Sequence, residues 1–200
     1  MSAMPDRNVR QTPRVRLTYD DLVRLPDDGL RHELIRGEHY VTPTPDFVHQ
    51  SIVLKLATEF ENFLRQHPIG DVAIAPFAIV MPGDSSVEPD LVYFSRERAE
   101  SIFSRKHLTG APELVVEVES PSTRQRDRTD KHAFYAEIGV LEYWRIDPDR
   151  QLVAVSRRDS RAGDWPELPL VVHAPDVLTT PLLAGFAVRL DVIFANRTAS

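Results

Sequence analysis

Two acidic residues lie in hydrophobic segments where an isolated charge would be costly. Asp90 belongs to the segment VEPDLVYF, and Glu117 belongs to LVVEVESPS. An ionised carboxylate in an apolar interior shifts its pKa, finds a cationic partner or binds a metal ion. These two positions are therefore the first candidates for chemistry.

The alternation of residues along LVVEVE predicts that Glu117 and Glu119 point to the same face of a strand. Their side chains start about 6.6 Å apart, whereas the ligands of one Mg²⁺ lie only about 2.0–2.1 Å from the ion. We expect Glu117 to be the ligand, with Glu119 over a neighbouring reacting position or at the exposed end of the strand. If the strand that follows Asp90 is adjacent, its carboxylate converges on the same cation. Alternatively, Asp90 caps a turn and Glu117 forms a salt bridge.

A lysine is predicted on the core-facing side of the next helix. Lys131 has helical spacing from Phe134 and Tyr135, on a stripe that lysines usually avoid. Beside buried carboxylates it can serve as a general base, a water-orienting group or a transition-state cation in metal-assisted hydrolysis. The alternative is an ion pair with Asp127 or a side chain that reaches solvent.

Further candidates are polar residues near the starts of two predicted helices. Arg124, Arg126 and Arg128 make one helix start basic, at the end whose dipole favours phosphate, so they either bind a DNA backbone or form a solvated mixed-charge face. His49 points toward the core, where it is either part of a site or simply hydrogen-bonded. Glu33 belongs to HELIRGE and lies either in the site or on a surface strand.

Capping and turn patterns in the first half place these residues on secondary structure. Thr18 and Asp21 predict the start of a short helix that ends near Pro26, and Asp46 is predicted to cap a long amphipathic helix. HELIRGEHYVTP is typical of extended structure with a turn at residues 36–37. DVAIAPFAIV and VEPDLVYF flank the turn residues MPGDSS and predict an antiparallel pair.

The second half alternates helix and strand patterns. Ser122 and Gln125 predict a capping box, followed by a helix that ends at Gly139. EYWRID and QLVAVSRR predict two strands around a Pro-Asp turn, and LLAGFAVRLDVIF a strand that becomes a helix. Together these elements predict an α/β or α+β fold with a mixed central sheet flanked by helices.

Composition limits the classes of protein to consider. The chain has 200 residues, 42% hydrophobic and 27% charged, which predicts one globular domain at residues 17–195 between a flexible arm at 1–16 and a tail at 196–200. The net charge of −6 gives no global attraction to nucleic acid, so contact would need a local patch. The absence of cysteine excludes disulfides and thiolate sites but leaves oxygen-liganded metals open. No apolar run is long enough for a membrane span, so we expect a cytoplasmic protein without membrane contact.

Several segments together resemble a known family. HELIRGE, EPDLVYF, APELVVEVESPST, QRDRTDKHAFYAEIGVLEYWRIDP and LAGFAVRL are similar to segments of the Uma-type family of putative restriction endonucleases, a bacterial branch of the PD-(D/E)XK nuclease superfamily. The resemblance implies a restriction-endonuclease-like core and Mg²⁺-dependent phosphodiester hydrolysis. On this interpretation Asp90 and Glu117 are the motif acids, and Glu119 stands where the superfamily usually has lysine. Members of the family use a lysine from the following helix, which matches Lys131.

The same resemblance assigns roles to other residues. Glu33 is similar to a glutamate that such nucleases supply from an N-terminal element, and His49 matches a histidine after the PxPxxxH segment. The implied mechanism places Mg²⁺, or Mn²⁺, between Asp90, Glu117 and the Val118 backbone carbonyl. The expected partners are DNA and, by analogy with other nucleases, a second copy in a homodimer.

Two other interpretations remain open. A degenerate nuclease fold could act as a nucleic-acid-binding or assembly module, which the acidic composition and Glu119 favour. A metal-dependent hydrolase of a substrate other than nucleic acid would use the same carboxylate and lysine chemistry. Sequence preference and the choice between DNA and RNA are not encoded in any recognisable motif.

Overall fold

The structure is a computed structural model that describes residues 16–26 and 28–195. Residues 1–15 of the predicted arm and the predicted tail at 196–200 lie outside this range. The helices are α1 Tyr19–Val23, α2 Phe47–Gln66, α3 Arg96–Ile102, α4 Arg124–Arg128, α5 Asp130–Ile138 and α6 Leu190–Phe194. The strands are β1 Arg31–Ile35, β2 Glu38–Thr42, β3 Gly70–Ile74, β4 Ala78–Met81, β5 Ser85–Val87, β6 Leu91–Ser95, β7 His107–Leu108, β8 Leu114–Val118, β9 Glu142–Asp147, β10 Leu152–Arg157, β11 Leu170–His173, β12 Val177–Thr179 and β13 Ala187–Arg189.

The centre of the fold is a six-stranded mixed sheet in the order β11-β10-β9-β8-β6-β3. Strands β8 and β9 are parallel, and the other neighbours are antiparallel. A second, five-stranded sheet has the order β2-β1-β5-β4-β7, and β12 pairs with β13. The predicted class, a mixed sheet flanked by helices, is confirmed.

The six-stranded sheet buries a hydrophobic cluster on each face. One cluster joins α2 and α6 to Leu114, Val116 and Val118 of β8. The other joins the five-stranded sheet, α3 and α5 to Val115 of the same strand. The predicted alternation along β8 is therefore confirmed, and it places Glu117 on the Val115 side.

Local signals in the first half of the sequence are confirmed. Thr18 and Asp21 form a capping box at α1, and the Asp46 side chain accepts a hydrogen bond from the backbone N–H of His49 at the start of α2. Arg36 and Gly37, with φ of 51° and 76°, form the turn between β1 and β2. Glycine has no steric penalty at such an angle.

The predicted antiparallel pair is divided between two sheets. The segment DVAIAPFAIV forms β3 and β4, and VEPDLVYF contributes to β5 and β6. Ser85 and Ser86, which the sequence predicts in the turn, belong to β5. Strand β3 pairs with β6 in the six-stranded sheet, whereas β4 pairs with β5 in the other. Pro76 and Pro89 lie between the halves, and proline interrupts a ladder because it has no N–H to donate.

The single helix predicted after β8 is two helices, α4 and α5, in the structure. The predicted capping box of Ser122 and Gln125 is wrong, because α4 begins after Thr123 without a side-chain cap. The Ser122 hydroxyl forms a hydrogen bond with the Ser120 hydroxyl instead. The helix is divided at Thr129, whose ψ of −77° departs from helical geometry. Gly139 ends α5 in the left-handed conformation, as predicted.

Within the part of the chain that the structure describes, no helix is both long enough and apolar enough to cross a membrane.

Candidate active site

Asp90 and Glu117 lie opposite each other on adjacent antiparallel strands. The register pairs Leu91 with Val116, so one further step places Asp90 across from Glu117. Each is only 3% exposed, and both line one cavity. The structure thus brings together the two acids that the sequence analysis selected.

Asp90 is held by three donors. Arg31 Nη1 lies 3.0 Å from its Oδ1, and its Oδ2 accepts from His49 Nε2 at 2.9 Å and from the Val118 backbone N–H at 2.8 Å. Burial alone would raise the pKa of Asp90, but His49, Arg31 and the Val118 N–H outweigh it and lower the pKa to about 2. Asp90 is therefore an ionised carboxylate at neutral pH.

Glu117 has a different environment from Asp90. Its Oε1 accepts hydrogen bonds from Lys131 Nζ at 2.8 Å and from the Tyr135 hydroxyl at 2.7 Å. No donor from the described residues bonds to its Oε2. Burial raises the pKa of Glu117 to about 8, although the Lys131 ammonium acts in the opposite direction. A carboxyl group whose ionised form is this costly would be stabilised by an added cation.

Lys131 is 1% exposed and makes two ion pairs. Its Nζ lies 2.8 Å from Glu117 Oε1 and 2.9 Å from Glu33 Oε1. Burial alone would lower the pKa of Lys131, but Glu117 and Glu33 outweigh it and raise the pKa above its usual value. The alternative of a solvent-reaching side chain is wrong, and Lys131 is a buried cation at neutral pH.

Glu33 on β1 anchors this lysine. It is fully buried, so the surface-strand alternative is wrong. Besides Lys131, its carboxylate accepts from the Glu88 backbone N–H at 2.9 Å and contacts Arg126 Nη2 at 3.3 Å. Burial raises its pKa, but Lys131 and Arg126 outweigh that effect, so the pKa is lowered.

His49 reaches the site from the first turn of α2. Because Nε2 faces the Asp90 carboxylate, that nitrogen carries the ring proton. Nδ1 is buried and has no hydrogen-bond partner among residues 16–26 and 28–195. The histidine thus orients Asp90, and its second ring nitrogen has no partner among the described residues.

Glu119 belongs to a neighbouring ionic cluster. Arg128 donates to both of its carboxylate oxygens, at 2.8 and 2.6 Å, and Arg145 Nη1 lies 3.3 Å from Oε1. Glu119 is buried, so its placement at an exposed strand end is wrong.

The predicted basic patch is largely paired within the protein. Arg124 contacts Asp149 at 2.7 Å and Glu119 at 3.3 Å. Arg126 is bound to Glu33 and lies over the Tyr40 ring, 5.1 Å from its centroid. Phosphate binding by these arginines, and by Arg128, would compete with existing carboxylate partners.

Two residues of the site were missed in the sequence. Arg31 lies two positions before Glu33, so strand alternation places both on one face, which was a usable signal. Tyr135 lies four residues after Lys131, but helical spacing does not reveal that its hydroxyl donates a hydrogen bond to Glu117.

The cavity above these residues has a volume of about 260 Å³. Its walls come from the loop at residues 42–46, the start of α2, residues 118–123 and the turn at 148–149. Asp90, Glu117 and Lys131 lie at its buried end.

The donor set fits a hard divalent cation. Mg²⁺ is usually bound by one or two carboxylates together with water and substrate phosphate oxygens. Asp90 and Glu117 Oε2, which has no donor in the described part of the chain, offer such carboxylates, and Val118 in the cavity wall would add its backbone carbonyl. The described part of the chain contains no group of three or more His, Asp or Glu side chains arranged for a metal, so other ligands would come from water and substrate.

Comparisons with known proteins concern the family and the fold of this chain. The family Uma2, described as "Putative restriction endonuclease", matches residues 19–192. A solved structure described as a putative nuclease belonging to DUF820 from Anabaena variabilis superimposes with a TM-score of 0.75 at 21% sequence identity, covering 89% of this chain and 97% of that one. A search of the curated proteins gave no match. The solved structure supports the fold, and the family match supports a nuclease function.

Proposed function

Since the chain belongs to the Uma2 family of putative restriction endonucleases, we propose that it is a Mg²⁺- or Mn²⁺-dependent endonuclease that hydrolyses phosphodiester bonds of DNA. One observation supports this above the others. Glu117 presents a carboxylate oxygen that has no hydrogen-bond donor among residues 16–26 and 28–195, in a cavity that also holds ionised Asp90. Most buried carboxylate oxygens in proteins are hydrogen-bonded, so an open one beside a cavity is available to a ligand.

Asp90, Glu117 and the Val118 carbonyl would hold the cation. When bound, the cation supplies Lewis-acid polarisation of the scissile phosphate. Arg31 and His49 keep Asp90 ionised and fixed in orientation. These contacts prepare the cavity for a phosphodiester.

Lys131 supplies a fixed positive charge at the same place. Because its pKa is raised, it keeps its proton at neutral pH and is a cation rather than a general base. It can orient the attacking water and stabilise negative charge that develops on the phosphate oxygens. The ion pair with Glu33 holds the Lys131 ammonium in position.

Cleavage assays on a panel of DNA substrates with Mg²⁺ or Mn²⁺ test this function. Asp90→Ala and Lys131→Ala should each reduce the rate by roughly 10²–10³-fold, the usual loss for one electrostatic contributor. Lys106→Ala removes an exposed lysine away from the cavity and should retain the parent rate. If both site variants cleaved as fast as the parent, the assignment would be wrong.

A degenerate nuclease fold that only binds nucleic acid is the second candidate. Asp90 favours it, because both its oxygens already have protein partners. Such a module would bind DNA equally well with and without divalent cation, and Asp90→Ala would leave that affinity unchanged. The homodimer and the cytoplasmic location stay predictions, and the mass in solution by light scattering tests the first.

A further inference from the structure

Asp127 is a buried acid that has no part in the chemistry proposed above. It lies on α4 and is 1% exposed. Both of its carboxylate oxygens are buried, and neither has a hydrogen-bond partner among residues 16–26 and 28–195. The nearby Thr123 hydroxyl is hydrogen-bonded to Ser120 instead. Most buried carboxylate oxygens in proteins are hydrogen-bonded, so a carboxylate with both oxygens open calls for a physical reason.

Asp127 interacts electrostatically with the cations of the site. Burial raises the pKa of Asp127 above its ordinary value, although Lys131 and Arg126 act in the opposite direction. Burial in turn lowers the pKa of Lys131, whereas Glu117, Glu33 and Asp127 raise it. Asp127 is therefore a third acid beside the Lys131 ammonium, and its own negative charge is incompletely compensated.

Lys131 and Asp127 do not form an ion pair, although their spacing of four residues would suit one on a continuous helix. The helix is divided at Thr129, between the two residues, and Lys131 pairs with Glu117 and Glu33. An ammonium has three N–H donors, and the described residues supply Lys131 with these two acceptors. One donor of Lys131 and both oxygens of Asp127 are thus unused in the described part of the chain.

A cation bound by Asp90 and Glu117 would change the surroundings of Lys131. The cation would compete with the ammonium for the charge of Glu117, and the two positive charges would repel each other strongly at such a buried place. A buried ammonium needs an acceptor for each bond that it gives up. Asp127 has two open oxygens, and the lysine side chain has four flexible carbons with which to reach them.

We propose, on the basis of the cation site in the proposed function, that Asp127 is a positioning residue that accepts the Lys131 ammonium when a divalent cation occupies Asp90 and Glu117. The ammonium keeps its ion pair with Glu33 and exchanges the Glu117 oxygen for an Asp127 oxygen. Asp127 thereby keeps the positive charge of Lys131 at the cavity while Glu117 is engaged by the cation.

Calorimetric titration with Mn²⁺ in the absence of substrate tests this role apart from cleavage. Asp127→Asn keeps the shape of the side chain and should weaken Mn²⁺ binding by about tenfold, because the displaced ammonium loses a charged acceptor. Urea unfolding of the cation-free variant should show a midpoint no lower than that of the parent, since the carboxylate has no hydrogen bond to lose among the described residues.

Asp130→Asn is the matched control for this titration. It removes the same charge three residues away, from a carboxylate that contacts Tyr40 and Thr129 rather than Lys131. This variant should bind Mn²⁺ like the parent. Equal Mn²⁺ affinities of Asp127→Asn and Asp130→Asn would overturn the inference.

A crystal structure of the parent with Mn²⁺ tests the exchange of partners without any substitution. We expect the Lys131 ammonium to contact Asp127 and Glu33, and an ammonium that still contacts Glu117 beside the bound ion would refute the inference alone. A parent protein that binds no Mn²⁺ in the titration would instead refute the cation site, and with it the proposed function.

Discussion

Glu142 and Glu117 are both buried glutamates on the adjacent parallel strands β9 and β8, but they differ in how their oxygens are satisfied. Each oxygen of Glu142 has two donors: Oε1 accepts from Arg157 Nε at 2.7 Å and the Thr180 hydroxyl at 2.8 Å, and Oε2 from Trp144 Nε1 at 2.8 Å and Arg157 Nη2 at 3.3 Å. The two donors that Glu117 has among the described residues both bind Oε1.

On the proposed function, this difference separates a structural acid from a functional one. A buried carboxylate with complete hydrogen bonding stabilises the fold, and an incompletely bonded one beside a cavity is available to a ligand. Burial alone does not distinguish the two, since both side chains are almost fully inaccessible. The predictions below compare the two residues, or the clusters around them.

The largest difference is expected in cleavage. Glu117→Gln should lower the rate by roughly 10²–10³-fold, because an amide oxygen lacks the charge needed at the reacting phosphate. Glu142→Gln should retain the rate per folded molecule. Equal losses in DNA cleavage assays would show that the two glutamates do not differ in the proposed way.

For stability, we expect the larger effect from the substitution at Glu142. Glu142→Ala leaves Arg157 and Trp144 without their acceptor, which should cost roughly 3–5 kcal/mol in the free energy of unfolding. Glu117→Gln should cost less, because the amide oxygen still accepts from Lys131 and Tyr135, and Glu33 still pairs with Lys131. Urea unfolding measures both values, and a Glu117→Gln protein as unstable as Glu142→Ala would contradict the distinction.

Asp90 should make stability depend on pH. Its pKa is lowered to about 2 in the folded protein, from 3.8 as the ordinary value. A lowered pKa gives stability that is fully present above the unfolded value and is lost as pH falls through the folded one. The parent should therefore lose about 2 kcal/mol from this group between pH 5 and pH 2. Asp90→Asn should show a flatter dependence in urea unfolding at several pH values, and an unchanged slope would refute this contribution.

The smallest effect is expected at Arg124, which does not line the cavity although its partners Glu119 and Asp149 do. Arg124 pairs with Asp149 near the surface, and such pairs contribute about 0–1 kcal/mol. Arg124→Gln should change both the unfolding free energy and the DNA affinity little. A large drop in affinity would show instead that Arg124 leaves its carboxylate partners to bind phosphate.

Much of this arrangement could be predicted from local patterns. Alternation along β8 gave the direction of Glu117, and helical spacing placed Lys131 toward the core, because both periods follow from backbone geometry. The division of DVAIAPFAIV between two sheets was not predicted, since strand pairing depends on long-range packing. The donors of Glu119 and the hydroxyl contact of Tyr135 also arise from tertiary neighbours that no spacing rule reveals.

The central claim is that Asp90 and Glu117 together bind a divalent cation, and calorimetric titration with Mn²⁺ tests it most directly. The account predicts a saturable site in the parent and in Glu142→Gln, and loss of that site in Glu117→Gln. Absence of binding by the parent, or unchanged binding by Glu117→Gln, would contradict it.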